Sequence, residues 1–428
     1  MDGDAETRPP LLQPGSTCWR IETAGLAACL IDAQCCFRAM REALCQARRS
    51  VFLLGWDIDS RMTLTPEDSG DGFPQPLGEF FDALAHARPD LNIYLLSWDY
   101  AMLFAMEREW LPEYRLNQRT HRRVHFRLDS AHPLGASHHQ KVLVIDDALA
   151  FVGGLDLTRC RWDTTEHAVH DDRRRDAAGK RYAPFHDVHF LVDGNAACAL
   201  GELARERWRR CTGETLAQAQ PHPVAWPPSV TPDFRDVPVA IARTEPEFPP
   251  YPAVNEIQRL LQSAILGARD SVFIENQYFT SKLIGDAIAT RLQESNGPEI
   301  VVIAAREQCG WLEQNTMGVL RSRLDLRLRA ADSGGRYRTY CPQLCEESSV
   351  CLNVHSKVLI VDDTFLTIGS ANLSNRSLFL DTECNVAIVA DGDRAIQEGI
   401  RAIRDRLLAE HLDTPLLLSG STCREAGA

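Results

Sequence analysis

Lysine is scarce in this sequence of 428 residues. It occurs only at positions 141, 180, 282 and 357, so nearly all of the 46 cationic residues are arginine. The net charge of −13 leaves no cationic excess. Because binding to a phosphate backbone draws its affinity from a cationic surface, this composition disfavours a nucleic-acid partner. The same deficit weakens attraction to anionic lipid and favours a zwitterionic or neutral target surface.

Targeting signals and cysteine motifs are also lacking. No apolar run reaches the roughly 18–20 residues that a membrane-spanning helix needs. The first residues, MDGDAETRPPLLQPG, are acidic and rich in proline, whereas a signal peptide begins with basic residues and an apolar segment. The 14 cysteines are scattered and form no CxxC pair. These absences predict a cytoplasmic protein with reduced thiols.

The sequence does contain one block of residues twice. Residues 137–158 read SHHQKVLVIDDALAFVGGLDLT, and residues 353–374 read NVHSKVLIVDDTFLTIGSANLS. In each copy a histidine is followed by a lysine two positions later and by an aspartate seven positions later, and the copies are 216 residues apart throughout. Two of the four lysines therefore occupy matching positions. The block indicates a duplicated domain rather than a chance spacing.

The residue order within the block predicts a strand that carries reactive side chains. Val, Leu and Ile dominate after each lysine, which is typical of a buried strand. On a strand, residues two apart share a face, so each histidine and its lysine point the same way. The aspartates Asp146 and Asp362 lie in a DD turn before the next strand, and we expect them to be structural. His138 points to the other face and is also predicted to be structural.

Two HxKxxxxD motifs, followed by GG and GS, make this sequence resemble the phospholipase D superfamily. IENQYF at 274–279 and GGLDLTRCRWD at 153–163 resemble the members that act on glycerophospholipids more than the nuclease branch. The resemblance covers roughly residues 20–410. It implies two halves that join both motifs in one active site. We expect neither a metal nor another cofactor, because a His/Lys pair is a poor metal site when the lysine is cationic. No HExxH motif or Cys/His cluster at zinc spacing is present.

A second repeat supports two tandem domains. ARRSVF at 47–52 matches ARDSVF at 268–273, and each half alternates helices and strands before its motif. We therefore predict two α/β/α sandwich domains with a mixed sheet, pseudo-two-fold symmetry and the active site at their interface. Residues 212–252 hold ten of the 23 prolines and are not expected to form regular structure. The predicted segments are a disordered N-terminus at 1–16, a first domain at 17–215 with its motif at 139–146, a linker at 216–240, a second domain at 241–412 with its motif at 355–362, and a tail at 413–428.

The two histidines can divide the cleavage of a phosphodiester. One imidazole attacks phosphorus, and the other protonates the leaving oxygen and then activates water. The residues do not distinguish these roles; the resemblance implies that His139 is the nucleophile and His355 the acid. Lys141 and Lys357 would stabilise charge on the non-bridging oxygens.

The resemblance also implies the side chains that support the histidines. Glu383 resembles the acidic partner of His355, and Asp187 is the matching candidate for His139. Asn372 resembles a phosphate-binding asparagine; its counterpart Asp156 would repel phosphate, and Arg161 is expected to compensate. Further predicted substrate contacts are Gly154, Ser370, Glu275 and Asn276.

The predicted activity is hydrolysis of the headgroup ester of glycerophospholipids to phosphatidic acid through a phosphohistidine, with transfer to alcohols. The protein would meet the membrane peripherally, as a monomer with two pseudo-symmetric halves. The alternatives are a phosphatidyltransferase similar to cardiolipin synthase, a nuclease or other phosphodiesterase, and an inactive membrane-binding scaffold. The resemblance ranks the transferase lower because such synthases carry N-terminal spanning helices, and the intact His–Lys pairs argue against the scaffold.

Overall fold

The computed structural model describes residues 10–67, 69–99, 108–218, 222–306, 317–344 and 350–414. The first half contains β1 (Arg20–Ile31), α1 (Asp32–Leu44), β2 (Ser50–Gly55), α2 (Leu77–Ala87), β3 (Asn92–Trp98), a π-helical turn (Tyr114–Gln118), β4 (Val124–Asp129), β5 (Val142–Ile145), β6 (Leu149–Gly153), β7 (Phe185–His186), β8 (Val188–Asp193) and α3 (Gly194–Thr212). The second half contains β9 (Phe234–Glu245), β10 (Val254–Asn255), α4 (Glu256–Gly267), β11 (Ser271–Asn276), α5 (Lys282–Gln293), β12 (Glu299–Ile303), α6 (Val319–Ala331), β13 (Tyr337–Tyr340), β14 (Asn353–Val354), β15 (Lys357–Val361), β16 (Phe365–Gly369), α7 (Asn375–Phe379), β17 (Glu383–Val389) and α8 (Arg394–His411).

One continuous sheet runs through both halves. Its order is β13-β12-β11-β15-β16-β17-β9-β1-β8-β6-β5-β2-β3-β4, so the second half repeats the first in reverse about the β9–β1 pair. In each half the outer three strands are parallel and the others antiparallel. The predicted mixed α/β fold with two tandem repeats is confirmed. The two repeats share a single sheet rather than forming separate sheets.

The hydrophobic core explains why the halves stay together. One core cluster packs α1 and α2 on the first half, and another packs α4, α5 and α6 on the second half. The third takes side chains from central strands of both halves and packs them against α3 and α8. Because this third cluster crosses the β9–β1 pair, separating the halves would expose a large apolar surface.

The predicted linker at 216–240 is partly wrong. Strand β9 begins at Phe234 and pairs with β1 along its length. Pro238 of β9 lies opposite Thr23 of β1. On the other side of β9, pairing with β17 ends at Ala240, so Pro238 has no partner on that side. A proline is tolerated at such a position because its missing N–H can face the unpaired side of the strand.

The predicted N-terminal segment and the predicted tail are described only in part. Residues 10–16 of the predicted disordered N-terminus form a turn, in which Thr17 Oγ1 donates to Leu11 O at 2.7 Å. Residues 1–9 and most of the predicted tail, 415–428, lie outside the described residues, as do residues 100–107 and 307–316. Within the described residues, no helix combines the length and the apolar character needed to cross a bilayer.

Candidate active site

The aspartates of the two motifs hold the start of a neighbouring strand. Asp146 accepts the backbone N–H groups of residues 48–50 at 2.7 Å each. Asp362 accepts those of residues 269–271 at 2.7–2.8 Å. These donors belong to the ARRSVF and ARDSVF repeats, so the carboxylates lie away from the reactive histidines and anchor β2 and β11.

Each histidine is positioned by backbone from the other half. His139 N donates to Thr382 O at 2.9 Å, and His355 N donates to His186 O at 2.8 Å. The second contact continues a two-stranded parallel sheet, in which β14 pairs with β7. Thr382 and His186 each immediately precede an acidic residue, so this pairing brings that acid to the opposite motif.

The acidic partners are therefore exchanged relative to the sequence prediction. His139 Nδ1 lies 3.0 Å from Glu383 Oε2, and His355 Nδ1 lies 2.6 Å from Asp187 Oδ2. The predicted pairs, His355 with Glu383 and His139 with Asp187, are wrong because the acids reach across the β9–β1 pair. With Nδ1 protonated toward a carboxylate, Nε2 of each ring keeps its lone pair for the cavity.

Gly154 and Ser370, which follow Gly153 and Gly369 in the two motif blocks, lie against the carboxylates of Asp187 and Glu383 and do not line the cavity. A side chain at Gly154 would overlap Asp187 Oδ1, so a glycine is needed where that carboxylate passes. Its counterpart Ser370 is fully buried, and its hydroxyl donates to Glu383 Oε2. The prediction that Gly154 and Ser370 bind substrate is corrected: both position a carboxylate.

The two lysines are buried, and each contacts a side chain that lines the cavity between the two halves. Lys141 Nζ contacts Asp156 Oδ2 at 3.2 Å and donates to His139 O at 2.9 Å. Lys357 Nζ donates to Gln277 Oε1 at 3.1 Å and to His355 O. Asp156 thus neutralises the ammonium group of Lys141, whereas Lys357 contacts the neutral amide of Gln277.

The IENQYF segment places different residues at the cavity than predicted. Glu275 is fully buried and accepts from His186 Nε2, His411 Nε2 and Ser356 Oγ. Asn276 Oδ1 accepts the backbone N–H groups of Tyr278 and Leu373. Glu275 and Asn276 therefore support the fold. Gln277, which the sequence analysis missed, lines the cavity because β11 ends at Asn276 and the chain turns there.

A cavity of about 1250 Å³ opens above both histidines. Its polar lining includes His139, Asp156, Arg161, Gln277, His355 and Asn372. Its apolar lining includes Trp56, Trp98, Leu134, Phe185, Tyr278 and Met317. The Arg161 guanidinium lies 4.9 Å from the Phe185 ring centre, and that ring packs 5.2 Å from the ring of His355. A charged group can therefore meet both imidazoles while an apolar chain follows the wall.

Burial and the adjacent lysines change the ionisation of the site. Burial, with Lys141 and Lys357 nearby, lowers the pKa of His139 well below its usual value, and similar causes lower that of His355. Burial lowers the pKa of Lys357 to about 7 and raises the pKa of Glu383 to about 7. Lys357 and Glu383 can therefore change charge near neutrality, whereas the lowered pKa values favour the neutral form of both histidines.

His138, which precedes the reactive histidine, is buried away from the cavity. Its Nδ1 lies 3.0 Å from Thr382 Oγ1, and its Nε2 lies 3.3 Å from Asp129 Oδ1. Burial lowers its pKa to about 4, so it is neutral at pH 7. It helps to fix the segment that carries Glu383.

Family models match both halves. The model described as phospholipase D matches residues 43–222, and the model described as cardiolipin synthase, phospholipase D-like domain, matches residues 261–405. Each match contains one of the two HxKxxxxD motifs.

Curated relatives match most of the chain at modest identity. Phospholipase D alpha 3 of Arabidopsis thaliana is 23% identical over 83% of this chain. Phospholipase D A of Dictyostelium discoideum is 24% identical over 84%, and phospholipase D1 of Saccharomyces cerevisiae is 22% identical over 92%. The chain spans 59% of the Arabidopsis protein and 29% of the yeast protein, so these relatives are longer.

Among solved structures, phosphatidylserine synthase of Haemophilus influenzae has a similar fold. The TM-score is 0.58 at 12% identity, and the alignment covers 92% of this chain and 87% of that protein. Such a low identity supports the fold and not the reaction. Because two consecutive domains of one family cover most of the sequence, each with its own His–Lys pair, this chain belongs to the phospholipase D superfamily.

Proposed function

We propose that this protein is a phospholipase D that hydrolyses the headgroup phosphodiester of glycerophospholipids to phosphatidic acid. The observation that carries the proposal is the single cavity lined by His139 and His355, one from each half, with a lysine beneath each. The names of the curated relatives support this substrate class.

In the first step Nε2 of His139 attacks phosphorus. The P–N bond forms as the bond from phosphorus to the headgroup oxygen breaks, and that oxygen takes the proton from Nε2 of His355. Glu383 stabilises the charge that develops on His139. Asp187 and the phosphate anion of the bound lipid together favour the imidazolium form that His355 needs as the acid, against the burial and the nearby cations that lower its pKa. In the second step His355 removes a proton from water, which attacks phosphorus and releases His139.

The non-bridging oxygens need positive charge and donors in the transition state. Lys141 and Lys357 supply charge from below, and Asn372 and Gln277 line the cavity beside them. We place the phosphate nearer Lys357, because Asp156 neutralises Lys141. Arg161, at the wall, would face the remaining negative charge.

We also propose that the protein meets its substrate at a lipid surface as a peripheral, cytoplasmic monomer. Leu134, which lines the cavity, is fully exposed, and Phe379 of α7 is 40% exposed. The two segments are joined where Arg376 donates to Gly135 O at 3.0 Å. Apolar side chains at the cavity rim would contact acyl chains.

A phosphatidyltransferase is the second candidate. The second half matches the model described as cardiolipin synthase, and a phosphohistidine can pass its phosphatidyl group to an alcohol as well as to water.

Headgroup release across a panel of phospholipids, with a DNA substrate in parallel, tests the proposal. We expect release from a zwitterionic lipid, with His139→Ala and His355→Ala both inactive and both folded. Cleavage of DNA without release from any lipid would contradict a phospholipase D. A product that forms only when a phosphatidyl acceptor is added would favour the transferase.

A further inference from the structure

A second group of ionisable side chains lies behind the His355–Asp187 pair. Asp32 begins α1, His167 lies in the loop after β6, His186 is in β7, and Glu410 is near the end of α8. One donor atom from each of these four residues lies within 4.8 Å of all the others. The four side chains are between 0% and 5% exposed. We call them the buried His–carboxylate cluster.

The donor atoms face one another at the distances of a metal coordination shell. His167 Nε2 lies 3.0 Å from Glu410 Oε1 and 3.3 Å from Asp32 Oδ2. His186 Nδ1 lies 2.7 Å from Glu410 Oε1 and 3.0 Å from Asp32 Oδ1. A tetrahedron with metal–ligand bonds of about 2.0–2.1 Å has edges of about 3.3 Å.

Two of the four residues have a buried polar atom that makes no hydrogen bond, although other donor atoms of the cluster lie close by. Within the part of the chain that the structure describes, Asp32 Oδ2 and His186 Nδ1 are buried and make no hydrogen bond. A fully buried polar atom without a hydrogen bond is costly unless something else satisfies it. A cation at the common centre of the four donors would satisfy both atoms.

Outer carboxylates orient both imidazoles toward this centre. His167 Nδ1 lies 3.0 Å from Asp163 Oδ2, and His186 Nε2 lies 3.0 Å from Glu275 Oε2. Asp163 is itself held by Arg174 at 2.9 Å. A metal-bound histidine ordinarily donates its other ring N–H to such a carboxylate, which leaves the lone pair for the metal.

We propose that Asp32, His167, His186 and Glu410 bind one Zn²⁺ ion as a closed, structural site. Two neutral imidazoles and two carboxylates are ligands that Zn²⁺ accepts, and the two negative charges balance a divalent cation. Four protein ligands leave no open position of the kind a catalytic zinc keeps. The ion would join α1 and β7 of the first half to α8 of the second.

The site would position the acid histidine without joining the reaction. Asp32 N donates to Asp187 O at 2.9 Å, and Asp187 N donates to Asp32 Oδ1 at 3.3 Å. Asp187 in turn holds His355. No step of the proposed phospholipase reaction uses the ion, so its presence can be tested without measuring lipid cleavage.

The test is the metal content and thermal stability of the untagged, full-length protein. We expect about one Zn²⁺ per chain by elemental analysis, a lower Tm after slow removal by a strong chelator, and recovery on adding Zn²⁺. His167→Gln and Glu410→Gln should each weaken Zn²⁺ binding by about tenfold or more. Asp233→Asn is the matched control, because it removes a different carboxylate contact to α8, 3.0 Å from Arg406. It should keep its metal even if its Tm falls.

Co²⁺ substitution identifies the donor atoms and does not depend on the variants folding. We expect visible absorption without a thiolate charge-transfer band, since the four ligands are nitrogen and oxygen. A thiolate band would place the ion on cysteines, and full metal content in both ligand variants would place it away from this cluster. Either result would overturn the assignment. Wild-type protein that takes up no Zn²⁺ and shows no Tm response would mean that the cluster is an ion-pair network of protonated histidines and carboxylates.

Discussion

At the scale of single residues, neither half of the protein contains a complete His–acid pair. Glu383 orients His139 and Asp187 orients His355, each across the β9–β1 pair. A carboxylate that fixes the tautomer of an imidazole also stabilises its charged form. Each acid therefore controls the chemistry of the opposite motif.

The exchange of partners can be tested with leaving groups of different acidity. A nitrophenol leaves without protonation, whereas a choline oxygen needs an acid. Asp187→Asn, which acts through His355, should therefore slow headgroup release by about 10³-fold or more with a natural lipid and much less in the initial burst with a nitrophenyl ester. Glu383→Gln, which acts through His139, should slow both. If Glu383→Gln instead spared the nitrophenyl ester and Asp187→Asn slowed both substrates, each acid would act through the histidine of its own half.

The lysines allow a second test at this scale. Lys141→Arg and Lys357→Arg keep the charge but replace a compact ammonium by a wide, planar group in a buried site. We expect each to lower kcat/KM by about 100-fold or more, the size of one transition-state contact. Lys282→Arg is the control, because that side chain is 75% exposed on α5. Near-normal rates in both buried variants would mean that the lysines supply only general charge.

Both motifs could be identified from the sequence because the same spacing of histidine, lysine and aspartate occurs in each half. The histidines themselves lie just before β5 and β15 rather than on those strands, as the sequence had suggested. The acid partners could not be identified, since β7 and β14 are two residues long and pair across halves. The predicted role of Glu275 as a substrate contact was wrong for a similar reason, since its partners come from distant parts of the chain. Its charge suggests a substrate contact, but three hydrogen bonds from His186, His411 and Ser356 satisfy it inside the protein.

At the scale of elements, the strands around each motif were predictable and the central pair was not. The apolar runs of β5 and β15 and the strand at residues 92–98 stand out by composition. Strand β1, with a burial pattern that changes along its length, and β9, which contains Pro238, give weak local signals. Pairing with each other stabilises both, and pairing between distant segments is not visible in local sequence.

The close approach of β6 to Asp187 gives a prediction for this scale. Gly154→Ala should displace the Asp187 carboxylate, and so loosen His355, because the added methyl would overlap Oδ1. We expect a fall in kcat of about tenfold or more, because His355 loses the carboxylate that orients it. Gly267→Ala at the end of α4 is the control, since a Cβ there meets nothing within 4 Å. Equal kcat in the two variants would contradict the role of Gly154.

At the scale of the whole molecule, the halves combine their charges in one cavity, and this predicts a narrow pH optimum. Lys357, with a pKa of about 7, is charged below that pH and loses its charge above it. Glu383, also with a pKa of about 7, is ionised only above it. We expect kcat/KM for a soluble substrate to rise and then fall around pH 7. Residual activity of Lys357→Arg should keep the rise and lose the fall, because arginine stays charged. A flat profile from about pH 6 to 9 would contradict both assignments.

One cavity with two imidazoles also predicts that the acceptor is chosen after the headgroup has left. If His139 holds the phosphatidyl group, water and a small primary alcohol compete for the same intermediate. Added ethanol should divert product from phosphatidic acid to phosphatidylethanol while total headgroup release changes little, provided that formation of the intermediate limits the rate. Trapped enzyme should carry acid-labile phosphate on His139, most readily in His355→Asn, which lacks the base for breakdown. Phosphate on His355 would reverse the roles of the two histidines. Hydrolysis with no alcohol product at any concentration and no adduct would instead mean direct attack by water, and the cavity would then serve only to bring the two histidines to opposite sides of phosphorus.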